Sequence, residues 1–269
     1  MRSPAAIGFY PGEKEELKRM LEKLISKDAK KYDAIAAIVP HAGYIYSGKV
    51  AGATYSAIKT NKNIFAIFCP NHTGLGSKIS LSQDKWLTPL GEVETLKFEK
   101  ASESNMIKID ELAHKYEHSL EVQLPFLQYL FKDFSILPIC LSMLSLKDIK
   151  KLANEIIDKR FFYIASSDFT HYGPMYGFDP FEGSIEEKLE KVKEMDMKAI
   201  DLILKIQPER FYNFVIDNDL TICGFIPITL LLFVLKGLGA KEGKLISYAS
   251  SYEVSKNSSF VTYAGILIL

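Results

Sequence analysis

Cysteine is scarce in this chain, with Cys69, Cys140 and Cys223 the only three among 269 residues. The number is odd, the spacing wide, and no CxxC pair occurs, which excludes a disulfide framework or a zinc ribbon and fits a reducing cytoplasm. An excess of one charge is also missing, since 33 Lys and Arg face 33 Asp and Glu. A cationic nucleic-acid platform is therefore not expected. The longest apolar run, Ile222 to Leu235, is interrupted by Gly224, Pro227 and Thr229 and falls short of the roughly 18 residues of a membrane span. Near the N-terminus, Pro4, Gly8 and Pro11 break the apolar stretch before an export signal could form. Internal repeats and low-complexity tracts are absent too.

What remains is a core-forming composition, 48% hydrophobic and 12% aromatic, expected to fold as one α/β domain over residues 1–269. Leu17, Met20, Leu21, Leu24 and Ile25 recur at helical spacing after Gly12. Short apolar runs at Ile35–Val39 and Ile64–Cys69, each ended by proline, read as buried strands, with a small-residue helix from Lys49 to Lys59 between them. Phe134–Cys140 and Phe161–Ala165 repeat the strand signal around the amphipathic stretch Leu146–Ile157. A charged helix over 185–206, a short one after Pro208, an apolar helix after Ile222, and strands at Leu245–Ser250 and Phe260–Leu269 complete the chain. Gly91–Lys97 reads as an extra short strand or part of a lobe covering the sheet, and Gly173–Gly183 as a long loop. The predicted architecture is a mostly parallel central sheet flanked by helices.

Three of the five histidines follow predicted strands: His41 in IVPHAGY, His72 in FCPNHTG and His171 in SSDFTHYG. Ligands of open α/β sheets bind beyond the carboxyl ends of the strands, so these turns are expected to share one crevice. Imidazoles fixed at rigid strand ends suit a metal, and Asp168, Glu117, Glu121, His171 and Cys223 are the residues available to complete its ligands. Cys223 stands near the start of the apolar helix, where the helix dipole favours a thiolate, although a small buried hydrophobe is the ordinary role of a free cysteine. In EHSLEVQLPFL, capping and solvation account for Glu117 and Glu121, while His118 is an acid–base or hydrogen-bonding residue. Asp168 and His171 form a pair suited to a proton step, with a helix cap as the plain alternative for Asp168. Phe9, Tyr10, Tyr44 and Tyr46 suit the wall of a pocket, as they would a core.

Taken in order, the blocks GFYPG, PHAGYIYSG, PNHTG, EHSLEVQLPFL, SSDFTHYG and TICGF resemble the Memo family, which includes protein B of the AmmeMemoRadiSam system in archaea and bacteria. The resemblance covers nearly the whole chain. It implies a fold like that of the class III extradiol, ring-cleaving nonheme iron dioxygenases, and a metal site made by His41, His72 and Cys223. His171, Asp168 and His118 are then the catalytic residues, and Tyr46, Phe9 and Tyr10 the substrate-binding ones. Those dioxygenases place a carboxylate where this family has a cysteine, so ring cleavage itself is not implied. Fe(II) is the first choice of metal, with Cu and Zn also admissible to two imidazoles and a thiolate. The implied activity is metal-dependent redox chemistry on an unknown small substrate. The alternative is a binding module for a peptide or partner protein. The system name further implies association with radical-SAM and AMMECR-type proteins. The phosphotyrosine-recognition role of animal members is not carried over.

Overall fold

The computed structural model describes residues 1–269. Four strands occupy the middle of an 11-stranded sheet in the order Ala36–Val39, Phe161–Ser166, Ile64–Pro70 and Ser135–Leu141. They run parallel, in registers such as Tyr163 opposite Ala36, Ile164 opposite Ile67, and Cys69 opposite Cys140. Their residues alternate between two cores. Ala36, Ile38, Ala66, Phe68, Leu137, Ile139, Tyr163 and Ala165 point to one face. Ala37, Val39, Phe65, Ile67, Ile136, Cys140, Phe162 and Ile164 point to the other. Burial on both faces is why these strands are continuously apolar, and each large aliphatic side chain so covered contributes roughly 1.5–3 kcal/mol.

The helices Leu146–Ile156, Ile185–Leu204, Pro208–Asp217 and Phe225–Leu238 cover the first face. Residues Ile226 to Leu235 of the last are all buried, so it is apolar all round. Helices Lys14–Leu24, Tyr44–Ser56 and Leu124–Leu130 cover the second face. Helix Tyr44–Ser56 lies so close to its neighbour that a Cβ on Gly52 would stand 2.2 Å from the Leu24 carbonyl oxygen.

The sheet is mixed, which corrects the expectation of a mostly parallel one. On one side Phe260–Ile268 pairs antiparallel with Ala36–Val39 and with Gly243–Ser250. On the other, Ile79–Leu81 is antiparallel to Ser135–Leu141. Parallel pairing needs a crossover of a dozen or more residues, and the C-terminal pair has only the short link 251–259, so it closes as a hairpin. The strands Ile79–Leu81, Trp86–Thr88 and Lys108–Ile109 are too short to leave a periodic signal. The helix placed at Lys49–Lys59 begins earlier, at Tyr44, and the expected loop 173–183 holds a single turn of tight helix at Pro174–Tyr176.

Parallel running brings the carboxyl ends Val39, Pro70, Leu141 and Ser166 to one edge. The turns carrying His41, His72 and Asp168 begin there.

Candidate metal centre

His41 follows the strand Ala36–Val39 and is 2% exposed. Its Nδ1 lies 3.0 Å from Ser166 Oγ, and its Nε2 faces Cys223 Sγ at 3.2 Å and Asp168 Oδ2 at 4.0 Å. Burial depresses the His41 pKa well below the usual histidine value, and the neighbouring His72 and His118 add to the effect. The ring is therefore neutral at physiological pH and keeps a lone pair for a ligand.

His72 follows Ile64–Pro70. Its ring Nδ1 donates to Glu117 Oε1 at 2.9 Å, and its backbone N–H to Glu117 Oε2 at 2.7 Å. Ser119 adds a backbone N–H and a hydroxyl to Oε1, at 3.0 and 2.7 Å. Burial alone would raise the Glu117 pKa, but the His72 hydrogen bond and charge, with the Ser119 donors, bring it down to about 2. A carboxylate on Nδ1 fixes the ring orientation of His72, as in carboxylate–histidine–metal arrangements.

His118 completes the group. Its ring stacks on Phe9 at 4.2 Å and on His72 at 5.0 Å between centroids. One ring nitrogen from each of His41, His72 and His118 lies within 4.8 Å of the other two, a donor set that could hold a metal ion. A set of imidazole nitrogens, with a carboxylate behind one of them, is a donor type that first-row divalent cations accept.

The remaining residues named from sequence gather around this group. Asp168 caps no helix; its Oδ1 accepts the backbone N–H groups of His41 and Ala42 at 2.8 and 3.2 Å. Burial raises its pKa against the pull of His171 and those two donors. His171 Nδ1 sits 3.0 Å from both the Phe169 and Thr221 carbonyl oxygens. Those oxygens only accept, so Nδ1 carries a hydrogen. Cys223 reaches His41 but is not one of the three mutually close donors. The helix begins at Phe225 with Gly224 as its cap, so Cys223 lies outside the first turn. Burial, then the Asp168 carboxylate, pushes its thiol pKa well up, which corrects the thiolate expected from a helix terminus. A cation beside the sulfur would reverse that balance.

Gly224 sets how close Cys223 comes to the strand end. A Cβ there would stand 2.4 Å from Ser167 Cβ and 2.6 Å from the Ser166 carbonyl oxygen. Gly224→Ala is expected to cost about 1–3 kcal/mol in urea unfolding and to move the sulfur away from His41. Unchanged alkylation kinetics at Cys223 would contradict that displacement.

The group lies in a cavity of about 510 Å³ whose wall includes Phe9, Tyr46, Tyr176 and Tyr263 as well as His171 and Asp168. Tyr10 is not part of that wall: it is 2% exposed and donates its hydroxyl to Glu121. Glu121, expected to be solvated, is fully buried and also pairs with Arg2, and Glu117 is equally buried. Sequence reasoning passed over the structural parts of Glu117, Ser166 and Gln123. The one signal available was the density of polar residues in EHSLEVQ beside an apolar helix.

The fifth histidine, His114, is buried away from the cavity, with Nε2 3.0 Å from the Ser80 carbonyl and no partner on Nδ1. Burial lowers its pKa to about 4 from the reference 6.5. Because the folded value is the lower one, the associated stability is complete above about pH 6.5 and is lost as pH falls through about 4. Urea unfolding is expected to show a loss of about 3 kcal/mol over that window. His114→Phe should flatten the slope, and an unchanged slope would show that other groups cause it.

A mixed-sheet α/β protein with a histidine cluster at the strand ends is thus the class defined by fold and site. Residues 2–267 match the family described as Memo-like protein, and the chain belongs to that family. It is similar to a MEMO1 family protein of Methanosarcina mazei, 40% identical over 282 residues, covering 100% of this chain and 99% of that one. A MEMO1 family protein of Archaeoglobus fulgidus is 39% identical over 275 residues, covering 99% of each. Another, of Pyrococcus abyssi, is 38% identical over 291 residues, covering 100% of this chain and 99% of that one. No helix is long and apolar enough to cross a membrane.

Proposed function

We propose that the cavity is a nonheme iron-type centre for redox chemistry on a small, uncharged substrate in a fold of the class III dioxygenase kind. The observation carrying this reading is the convergence of His41, His72 and His118 at the strand ends, with Cys223 3.2 Å from His41. Ferrous ion is the proposed metal, copper and zinc being the other ions this donor set accepts. When bound, it supplies a Lewis acid and a one-electron redox partner.

The chain's own residues do the rest. His41, His72 and His118 would hold the ion through ring nitrogens, and Cys223 is placed to add its sulfur were the thiol proton lost to solvent. His171, with Nδ1 held by two carbonyls, offers Nε2 as a proton acceptor at the cavity wall. Asp168 lines the cavity and holds the His41 turn through Oδ1. Phe9 and Tyr46 flank the substrate on the open side. No Lys or Arg lines the cavity, so an anionic substrate would meet no fixed positive charge from the chain. The three free thiols suit a reducing cytoplasm, and radical-SAM and AMMECR-type proteins are the proposed functional associates.

Protein purified without oxygen is expected to carry close to one equivalent of iron, and the His41→Ala, His72→Ala double variant none. Equal, negligible metal in both would remove this reading. A second reading, docking of a peptide or partner protein, is favoured by exposed apolar residues lining the cavity: Met175 at 76%, Tyr176 at 41% and Tyr46 at 37% exposure. Oxygen uptake by the iron-loaded protein with candidate substrates separates the two. Reproducible turnover would exclude a purely binding role.

A further inference from the structure

We infer that Ser166 and Gln123 are positioning residues: a buried hydrogen-bond chain running from Tyr55 through Gln123 and Ser166 fixes His41 as the Nδ1–H tautomer and turns its Nε2 lone pair to the cavity. The direction of every hydrogen in that chain follows from groups that only accept. Tyr55, Ser119, Gln123 and Ser166 are all wholly buried, out of reach of bulk solvent.

Gln123 Nε2 stands 3.0 Å from the Pro40 carbonyl and 2.8 Å from Ser166 Oγ. The carbonyl needs a donor, which assigns the amide nitrogen to that side and leaves Oε1 to accept from Tyr55 OH at 2.9 Å. Ser166 Oγ has one hydrogen and two lone pairs. Its hydrogen goes to the Ser119 carbonyl at 2.7 Å, and one lone pair receives Gln123 Nε2–H. The second lone pair faces His41 Nδ1 at 3.0 Å, so that nitrogen must bear the proton. With the proton on Nε2 instead, two lone pairs would oppose each other, an arrangement that is costly between buried groups. His72 reaches the same tautomer through a charged partner, Glu117. His41 reaches it through neutral groups alone, so its Nε2 is presented without adding negative charge behind the ring.

The test is the His41 tautomer in 15N-labelled, metal-free protein near pH 8, read from the ring nitrogen shifts. Wild type is expected to be Nδ1–H. Ser166→Ala should move the ratio about tenfold toward Nε2–H, the scale of one hydrogen bond, because Cys223 Sγ and Asp168 can accept that proton. Ser166→Thr keeps the hydroxyl and should keep the wild-type ratio. Gln123→Leu should shift it less, since Ser166 still holds Ser119. A wild-type Nε2–H pattern, or a ratio unmoved by Ser166→Ala, overturns the inference. The wild-type spectrum decides even if Ser166→Ala fails to fold.

A zinc(II) titration adds a second reading, which rests on the cluster being a metal site. Ser166→Ala should bind about 10- to 100-fold more weakly than wild type, with Ser166→Thr close to wild type. Wild-type protein that takes up no zinc or iron would defeat the metal reading, while the tautomer ratios would still decide the inference.

Discussion

Glu121→Ala is expected to destabilise the protein by about 3–5 kcal/mol, the cost of leaving a buried charge without its partner. The partner is Arg2, which is 5% exposed and pairs with Glu121 through one guanidinium nitrogen. Its other nitrogens donate to the carbonyls of His114 and Glu117, each at 2.6 Å. The guanidinium also lies 4.0 Å above the Trp86 ring. Glu121 accepts from the backbone N–H groups of Ala5 and Ala6 at 2.8 and 3.0 Å, and from the Tyr10 hydroxyl. One carboxylate thus anchors the N-terminal segment that places Phe9 on His118. Urea unfolding of Glu121→Ala, Arg2→Met and the Glu121→Ala, Arg2→Met double variant checks the account. The double variant should lose less than the sum of its parts, because it removes both charges together. Full additivity would mean that the pair is not coupled.

Glu117→Gln is the second large effect, and it acts on the site more than on the fold. The carboxylate receives four donors: the His72 backbone and ring, and the Ser119 backbone and hydroxyl. An amide turns one NH₂ group toward those donors, so at least one buried N–H is left facing another. A stability loss of about 1–3 kcal/mol is expected. Metal affinity should fall about 10- to 100-fold as His72 loses its orienting partner. Calorimetric titration with zinc(II), alongside urea unfolding, measures both. An affinity equal to wild type would mean that His72 is not a ligand.

The central sheet is legible because parallel strands buried on both faces appear as short apolar runs, two of them ended by proline. The histidines after two of those runs pointed to one rim for the same reason. Less was visible at the edges. Strands of two or three residues, such as Lys108–Ile109, carry no period, and the antiparallel C-terminal hairpin depends on which strand it finds. Arg2 near a chain end and Glu121 in a helical turn each look solvated in sequence. Their pairing spans 119 positions, and local pattern carries no trace of it. Tyr10 was placed with the cavity for its neighbours' sake, whereas its hydroxyl serves Glu121. In sequence His118 is an acid–base or hydrogen-bonding residue, and its place beside His41 and His72 comes from the long-range contacts of the 117–123 segment with the strand ends at Pro40, Pro70 and Ser166.

The donors come from four separate stretches, and the contact between Cys223 and His41 joins positions 182 apart. An unfolded chain therefore holds no preformed chelate, and a cation that binds here binds the native state alone. Occupancy then acts as a thermostat on folding: at a free concentration one hundred times the dissociation constant, mass action adds about 2.7 kcal/mol to the native state. Melting temperature should climb with added ion and drop on chelation, so the lifetime of this protein would track the metal supply around it.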